Sequence, residues 1–278
     1  MSASTNSTAG AGESAGRLAR QHRNILWRVQ KMAFWVLYDY AGYLILLNLL
    51  TLAAVLGPAW LLFKILGGNV LIPAALAVAL GVVAVAGQAT LIGALLDGEE
   101  FSLRRVVSGA ASHGPRALGL ALLFAATGAV AGTGFWFYTT QVWPSRPVLG
   151  PILAGLCLSA GVAVLLSGVY VLPALVNQRG PARKALRTSL ALAGKHPVLT
   201  PGLLAMMAGQ GLLLVTPPGL LLLSSLPLVA LACCAYELLA RHYGAGRLPG
   251  AAERGPVFDE EDIFLNRGFK DFLFPWKG

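Results

Sequence analysis

Charged side chains are scarce in this sequence. Asp, Glu, Lys and Arg together make up 12% of the 278 residues, whereas hydrophobic residues make up 56%. Soluble globular domains carry about 25% charged residues. So few charges cannot cover the surface of a water-soluble fold of this length, so the composition excludes an ordinary soluble domain and indicates a membrane protein.

Cysteine and histidine are also rare, and neither occurs in a spacing typical of a metal site. The three cysteines lie within apolar runs, at Cys157, Cys233 and Cys234. The four histidines lie in connections and terminal segments, at His22, His113, His196 and His242. We therefore predict neither a disulfide framework nor a metal site. Because the sequence also lacks a Gly-rich phosphate loop and a Ser-His-Asp grouping, we predict no cofactor and no enzymatic activity.

Long apolar runs are abundant. Three runs without acidic or basic residues cover 65–96, 117–145 and 147–178, and each exceeds the ~20 residues that a helix needs to cross the hydrocarbon core. Together with the Gly and Pro residues that interrupt the chain, among them Gly67 and Gly68, which predict a turn, the runs predict six membrane-spanning helices. Their predicted bounds are about 42–66, 69–96, 117–140, 149–176, 198–216 and 219–240. The predicted fold is an all-α, polytopic membrane bundle over 25–243.

The positions of the basic residues predict an orientation. Nineteen of the 21 lysines and arginines fall in the N-terminal arm and lead-in, the second and fourth connections, and the C-terminal tail, while Lys64 and Arg146 fall in the other connections. Cytoplasmic segments are enriched in Lys and Arg, so both termini are predicted to be cytoplasmic. The net charge of +9 is spread over these short segments. Membrane lipids are therefore the predicted counter-charge, and nucleic acid is not a predicted partner.

The fourth connection is a basic segment between two apolar runs. At about 100° per residue, its apolar and basic residues fall on opposite arcs of a helix. This pattern predicts an amphipathic helix over 181–196 that lies along the inner membrane surface, with Pro181 in its first turn. Its candidate contacts with lipid or a partner are Arg183, Lys184, Leu186, Arg187 and Leu190.

Two other inner segments are predicted to contain surface helices. The second connection, 97–116, shows a weaker form of the same pattern, and Gly114 and Pro115 predict that its helix ends before the span at 117–140. The lead-in to the first span places four apolar residues on one helical face, Ile25, Val29, Met32 and Val36. A surface helix that runs into a first span starting near Ala41 would leave Asp39 at the level of the lipid headgroups. If the membrane helix instead begins at Met32, Asp39 is buried and needs a partner.

Polar side chains are few within the predicted spans, where small residues as in "GAVAGTG" allow close helix approach. The candidate intramembrane polar residues are Asn48, Gln88, Gln210 and Glu237. Such residues mark functional sites or hydrogen bonds between helices, and so small a number favours packing over a translocation path. Glu237 stands four residues before Arg241, which favours an ion pair; a proton or cation relay is the alternative.

Both ends of the chain differ from the apolar region. Residues 1–24 are small, polar and then basic, and they predict a disordered cytoplasmic arm. The tail, 244–278, begins with a Gly/Pro-rich linker and continues with an acidic cluster and aromatic residues. We expect this tail to dock on the bundle, to lie in the membrane interface or to bind another protein. Its candidate contact residues are Phe269, Phe272 and Trp276.

Three segments resemble the YesL-like family of bacterial membrane proteins. They are "YDYAGYLILLNLLTL" at the first span, the short connection at 97–116, and "YVLPALVNQRGPARKALRTSLALAGKHP", where a Tyr-x-x-Pro precedes the amphipathic helix. The resemblance covers about 30–240. It implies a multi-span protein of the bacterial cytoplasmic (inner) membrane, in some members encoded near carbohydrate transporters, with no established activity and no catalytic residues to carry over.

Two functions fit these features. The first is a non-enzymatic scaffold or accessory subunit of a membrane complex, for example of a complex that takes part in transport. The alternative is a transporter or permease-like subunit whose helix at 181–196 docks an ATPase, because this helix resembles the coupling helices of ABC importer permeases in position and amphipathicity. It lacks the Glu-Ala-Ala start and the Gly of those helices. The sequence therefore favours the scaffold.

Overall fold

The computed structural model describes residues 25–177, 181–214 and 225–242 and the single residues 216 and 267. Throughout these residues the regular elements are helical, which confirms the all-α prediction. The N-terminal arm and nearly all of the tail lie outside the described residues. The roles predicted for the arm and for Phe269, Phe272 and Trp276 therefore stay predictions.

Eight helices follow one another along the described chain. They are α1 at 25–39, α2 at Ala41–Ile65, α3 at Leu71–Leu96, α4 at Leu103–Phe137, α5 at Leu149–Asn177, α6 at Ala182–Lys195, α7 at Leu199–Leu214 and α8 at Leu226–His242. A π-helical turn, Tyr138–Val142, extends α4. Within the described residues, helix thus forms over the apolar runs and also over the basic fourth connection.

Four of these helices are long and apolar enough to cross a membrane. They are α2, α3, α4 with its π-helical turn, and α5, with lengths of 25, 26, 40 and 29 residues. They match the first four predicted spans and are compatible with a membrane protein. α7 and α8 have 16 and 17 residues, fewer than the ~20 that a crossing normally requires. The structure therefore does not confirm the fifth and sixth predicted spans, 198–216 and 219–240.

The first connection is a tight turn, as predicted from its two glycines. Gly67 and Gly68 have φ of 62° and 94°, left-handed values that residues with a Cβ rarely adopt. The Asn69 side chain then accepts a hydrogen bond of 3.1 Å from the Leu71 backbone N–H at the start of α3. α2 and α3 are therefore antiparallel neighbours.

The second connection differs from the prediction of a separate surface helix at 97–116. α4 runs without interruption from Leu103 to Phe137 and contains both Gly114 and Pro115. A Cβ at Gly114 would lie 2.8 Å from Val83 Cγ1, so this glycine allows α4 to pack closely on α3. Proline is tolerated in a membrane helix when neighbouring groups satisfy the freed carbonyl. The Gly-Pro pair that indicated a helix end therefore serves helix packing.

The buried core lies at one end of the bundle. It includes the first half of α2, the second half of α3, the first half of α4 and the second half of α5. These halves adjoin the basic connections, and we call this end the inner end because the basic residues predict that it faces the cytoplasm. Elsewhere the four long helices are open: between 11% and 33% of each apolar window is buried inside the protein. Their outer halves therefore expose apolar side chains, which is compatible with a surface that faces lipid.

α1 and α8 are packed into the inner end. Every side chain of α8 from Val229 to Tyr236 is buried, and the helix contacts α3, α5 and α7. The face predicted for α1 is confirmed, since Ile25, Val29, Met32 and Val36 are all buried in the same core. That face packs against the bundle, so α1 is part of the protein core as well as the lead-in to α2.

Candidate functional site

α6 is the amphipathic helix that the sequence predicts in the fourth connection. Pro181 has an extended ψ of 151° and stands at the N-cap, one residue before the first turn in which it was predicted. The side chains of Ala185, Thr188, Ser189 and Leu192 are buried, and the main neighbour of α6 is α5. The amphipathic prediction is confirmed, and the buried face packs on the bundle itself.

Leu190 was predicted to lie on the apolar arc of α6, opposite the basic residues, and this placement is wrong, whereas its contact with lipid or a partner stays a prediction. Its side chain is 47% exposed, because it lies seven residues after Arg183 and three after Arg187 and so shares their outward face. Thr188 and Ser189, which sequence reasoning missed, take the buried face instead. The Ser189 hydroxyl donates a 2.9 Å hydrogen bond to the Leu186 carbonyl. A hydroxyl that bonds its own helix can be buried without another partner.

The basic side chains of α6 point away from the bundle. Arg183 and Arg187 are exposed, whereas Lys184 and Leu186 are half-buried. Lys195 adds a third exposed positive charge in the last turn. This face is therefore available to lipid headgroups or to a partner, which is the contact that the sequence predicts for it.

Asn48 and Gln88 lie at the same depth of the α2–α3 hairpin. Asn48 lies 17 residues before Ile65 and Gln88 lies 17 residues after Leu71. Both are fully buried. The Gln88 Oε1 accepts a hydrogen bond of 2.7 Å from the Ser225 hydroxyl, directly before α8. Gln88 therefore ties the start of α8 to α3, which is the packing role predicted for such residues.

Gln210 bonds a different helix. Its Nε2 donates a hydrogen bond of 3.4 Å to Gln30 Oε1, which joins α7 to α1. Glu237 is half-buried in α8. The Arg241 side chain predicted to pair with it is not among the described side chains, so that ion pair stays a prediction. The four intramembrane candidates thus lie on four helices, and the observed bonds of Gln88 and Gln210 are bonds between helices.

A buried hydrogen bond that sequence reasoning did not identify joins α5 to α7. The Tyr170 hydroxyl and Thr200 Oγ1 are 3.1 Å apart, and both residues are fully buried. Thr200 donates its own hydroxyl proton to the His196 carbonyl at 2.9 Å, so Tyr170 donates to Thr200. Tyr170 is the tyrosine of the Tyr-x-x-Pro motif, which was the available signal.

Arg267, the described residue of the tail, contacts the bundle. Arg267 Nη1 lies 2.5 Å from both carboxylate oxygens of Asp39, and the guanidinium carbon lies 5.4 Å from the centre of the Trp35 ring. Asp39 therefore has a partner that sequence reasoning missed. Three arrangements were predicted for the tail, and the contact of Arg267 corresponds to the one in which the tail docks on the bundle.

An apolar groove, which we call the α4–α5 groove, runs along α4 and α5. It consists of two cavities of about 470 and 500 Å³ that share Phe124 and Gly168. α4 and α5 form two walls of the first cavity, and α3 forms a third wall at Gly81, Val82 and Val85. Apart from the Cys157 thiol, the lining side chains are those of Gly, Ala, Val, Leu and Phe. The groove therefore suits an apolar occupant.

The glycines of α4 differ in what surrounds them. A Cβ at Gly134 would lie 2.8 Å from Cys157 Sγ, so Gly134 is needed where α4 meets α5. Nothing lies within 4 Å of a Cβ built at Gly128 or Gly132, although both line the groove. These two glycines are not required by contacts within the chain, and they leave the floor of the groove open.

No group of three or more His, Cys, Asp or Glu side chains that could hold a metal ion occurs among the described residues. No family model matches the chain, and neither does any curated protein or any solved structure.

Proposed function

We propose that this chain is a non-enzymatic scaffold or accessory subunit of a membrane complex, and that a transmembrane helix of a partner protein packs in the α4–α5 groove. The groove is the observation that supports this function. It is apolar, it opens toward the membrane, and its two open glycines, Gly128 and Gly132, face the space that a partner would occupy.

The length of the groove favours a helix over a lipid chain. Its lining extends from Ala117 to Phe135 on α4 and from Cys157 to Leu175 on α5, which is about 27 Å along each helix axis. The hydrocarbon core is about 30 Å thick. One acyl chain occupies a single leaflet, whereas a transmembrane helix extends through both leaflets. Small residues on the floor let helix backbones approach closely, which drives association in lipid.

The buried polar groups favour a scaffold over a transporter. Gln88 bonds Ser225, Tyr170 bonds Thr200, and Gln210 bonds Gln30. These bonds connect helices at the inner end, while the groove itself is apolar. A path for a polar solute would need polar groups or water along it. The arrangement therefore suits a protein that binds other membrane segments.

The permease alternative depends on α6 as a coupling helix. Such a helix would offer its apolar face to an ATPase, but α6 buries Ala185 and Leu192 against its own bundle. Leu190 is exposed beside Arg187 and offers a small apolar contact. We therefore keep the scaffold as the proposed function.

The proposal also includes a location and an orientation. We place the protein in a bacterial cytoplasmic membrane with both termini cytoplasmic, and we propose the YesL-like family as its relatives. The support is the distribution of Lys and Arg, of which nineteen of 21 lie in segments predicted to be cytoplasmic. Four crossings and six crossings both return the chain to its starting side, so the orientation holds for either number.

The test is to fill the groove. Gly132→Leu places a large side chain on the open floor, and Gly119→Leu is the matched control, because Gly119 also has open space around it but does not line the groove. We expect a protein that co-purifies with the wild type from mildly solubilised native membranes to be lost with Gly132→Leu and retained with Gly119→Leu, measured by quantitative mass spectrometry. The same co-purifying proteins with both variants, or solute flux in vesicles that contain this chain alone, would contradict the scaffold.

A further inference from the structure

We propose that α7 lies along the inner membrane surface with its uncharged outer face against the inner leaflet, and that neither α7 nor α8 crosses the bilayer. This inference does not depend on the scaffold function. It replaces the two shortest predicted spans with an inner layer of helices, which consists of α1, α6, α7 and α8.

The first step places α1 on the inner side. α1 ends at residue 39 and α2 begins at Ala41, so Tyr40 alone separates the two helices. Two antiparallel helices need a connection of about 2–5 residues. α1 therefore cannot run back beside α2 into the membrane, and its residues stay at or below the inner end of α2.

The second step ties both ends of α7 to α1. A Cβ at Gly202 would lie 2.9 Å from Leu26 Cδ1, and the Gln210 amide bonds Gln30 at 3.4 Å. Gly202 and Gln210 are about 12 Å apart along the helix axis. If α7 crossed the membrane, Gln210 would lie about that much deeper and out of reach of α1. α7 therefore follows α1 along the inner end.

The third step gives the level at which α8 begins. Ser225 bonds Gln88, which lies eight residues before Leu96 at the inner end of α3 and 17 residues after Leu71 at the outer end. These separations correspond to about 12 Å and about 25 Å along α3. A helix that entered from the outside would begin near Leu71. α8 begins in the inner part of the bundle instead.

The exposed face of α7 identifies what covers it. Its exposed residues recur at helical spacing and form one stripe, Pro201, Ala205, Ala208, Gly209 and Leu212. α7 contains no charged residue from Leu199 to Leu214. An uncharged apolar stripe of this length is unfavourable in water, and α7 lies at the inner end of the bundle, where the acyl chains of the inner leaflet can cover it. The inner leaflet is therefore its partner.

The decisive experiment measures depth along α7. A nitroxide label is attached to Pro201→Cys, Ala205→Cys or Leu212→Cys in a chain whose three native cysteines are replaced by Ala, reconstituted in phospholipid vesicles. Accessibility to oxygen and to a nickel chelate reports the depth of each label. We expect the three depths to agree within a few ångströms. A steady increase that reaches about 16 Å between residues 201 and 212 would overturn the proposal, because that is the rise of a crossing helix.

Labels on α5 are the matched control. Leu158, Val162 and Leu165 form an exposed stripe on a helix long enough to cross, so labels at these positions must show a depth gradient of about 10 Å. A gradient on α5 with a flat profile on α7 supports the proposal. Equal gradients on both helices contradict it, and this comparison holds even if the label changes the absolute depths.

Chemical labelling of Thr216→Cys gives a second readout. Six crossings would place this residue at the outer surface, where a membrane-impermeant maleimide added to intact cells would modify it as readily as the outer control Ser145→Cys. We expect no modification from the outside, as for the inner control Ser112→Cys. Modification of Thr216→Cys from outside would overturn the proposal. If the maleimide does not modify Thr216→Cys in permeabilised cells either, the depth profile along α7 decides between the two topologies.

Discussion

The inner and outer halves of this bundle are packed in different ways. At the inner end, α8 and α1 fill the space between the long helices, and Tyr170, Met32 and Leu95 are completely buried. In the outer half, Leu122, Val130 and Trp136 are each more than 60% exposed. Lipid tails are as apolar as these side chains, so no hydrophobic force drives them together. Apolar character alone therefore does not pack a membrane protein.

Glycines on α3 and α4 let these helices pack closely. At the inner end a Cβ on Gly87 would lie 2.6 Å from the Val106 carbonyl oxygen, and one on Gly109 would overlap the Thr90 side chain. Both glycines let α3 and α4 approach closely. Gly128 and Gly132, farther along α4, have open space around them. Close contact at glycine thus joins α3 to α4 in the inner half, whereas in the outer part of α4 it occurs at Gly134 and is absent at Gly128 and Gly132.

The sharpest test of this comparison removes a large side chain from each half. Leu192→Ala, in the buried face of α6, should lower the free energy of unfolding by about 2–5 kcal/mol because it leaves a cavity. Leu122→Ala, which faces lipid, should change it by less than about 0.5 kcal/mol. Reversible unfolding of the reconstituted protein in denaturant measures both. Equal losses would mean that the outer half is packed as tightly as the inner half.

A second pair of variants adds one methyl group to a glycine in each half. Gly87→Ala should destabilise by about 1–3 kcal/mol, because the Val106 backbone cannot move away from the new Cβ. Gly128→Ala should be neutral or should stabilise α4 by up to about 1 kcal/mol, since Ala favours helix and the space is open. The thermal midpoints of the two variants give the comparison. A stable Gly87→Ala protein would show that α3 and α4 are not in close contact.

A double-mutant cycle tests the inner hydrogen bond between Gln88 and Ser225. Gln88→Leu, Ser225→Ala and the double variant should give a coupling of about 0.6 kcal/mol, the average for such bonds within membranes. The same unfolding measurement is used. Additive effects would show that the bond does not hold the start of α8 against α3.

The smallest expected effect concerns the contact between the tail and the bundle. Arg267 and Asp39 are partly exposed, so we expect Arg267→Ala and Asp39→Ala to couple by about 0.2–1 kcal/mol. Trp35→Leu should weaken the same contact by removing the ring that the guanidinium approaches. Limited proteolysis should cut the tail faster in all three variants. Unchanged cleavage in every variant would count against docking through Arg267.

Local patterns predicted most of the helical architecture. The hydropathy of the chain predicted the first four long helices, the two glycines at 67 and 68 predicted the tight turn after α2, and the charge pattern predicted α6. These predictions succeeded because each depends on a few neighbouring residues. The basic residues also predicted the orientation, which stays a proposal.

The wrong predictions concern contacts between distant parts of the chain. Gly114 and Pro115 indicated the end of a helix, but Val83 on α3 needs the space that Gly114 leaves. Asp39 was given no partner, because Arg267 lies 228 residues away in the sequence. None of these contacts has a local signal.

The sequence by itself determined that the chain is helical and that four of its helices are long and apolar enough to cross a membrane, because hydropathy and helix formation depend on local composition. The tertiary structure decided which apolar faces pack against protein and which stay exposed on the outside of the bundle. Both environments are equally favourable for an apolar side chain, so hydropathy cannot distinguish them. Steric fit at residues such as Gly87 and hydrogen bonds such as that of Gln88 with Ser225 determine which faces pack against protein. Both require the folded arrangement of helices.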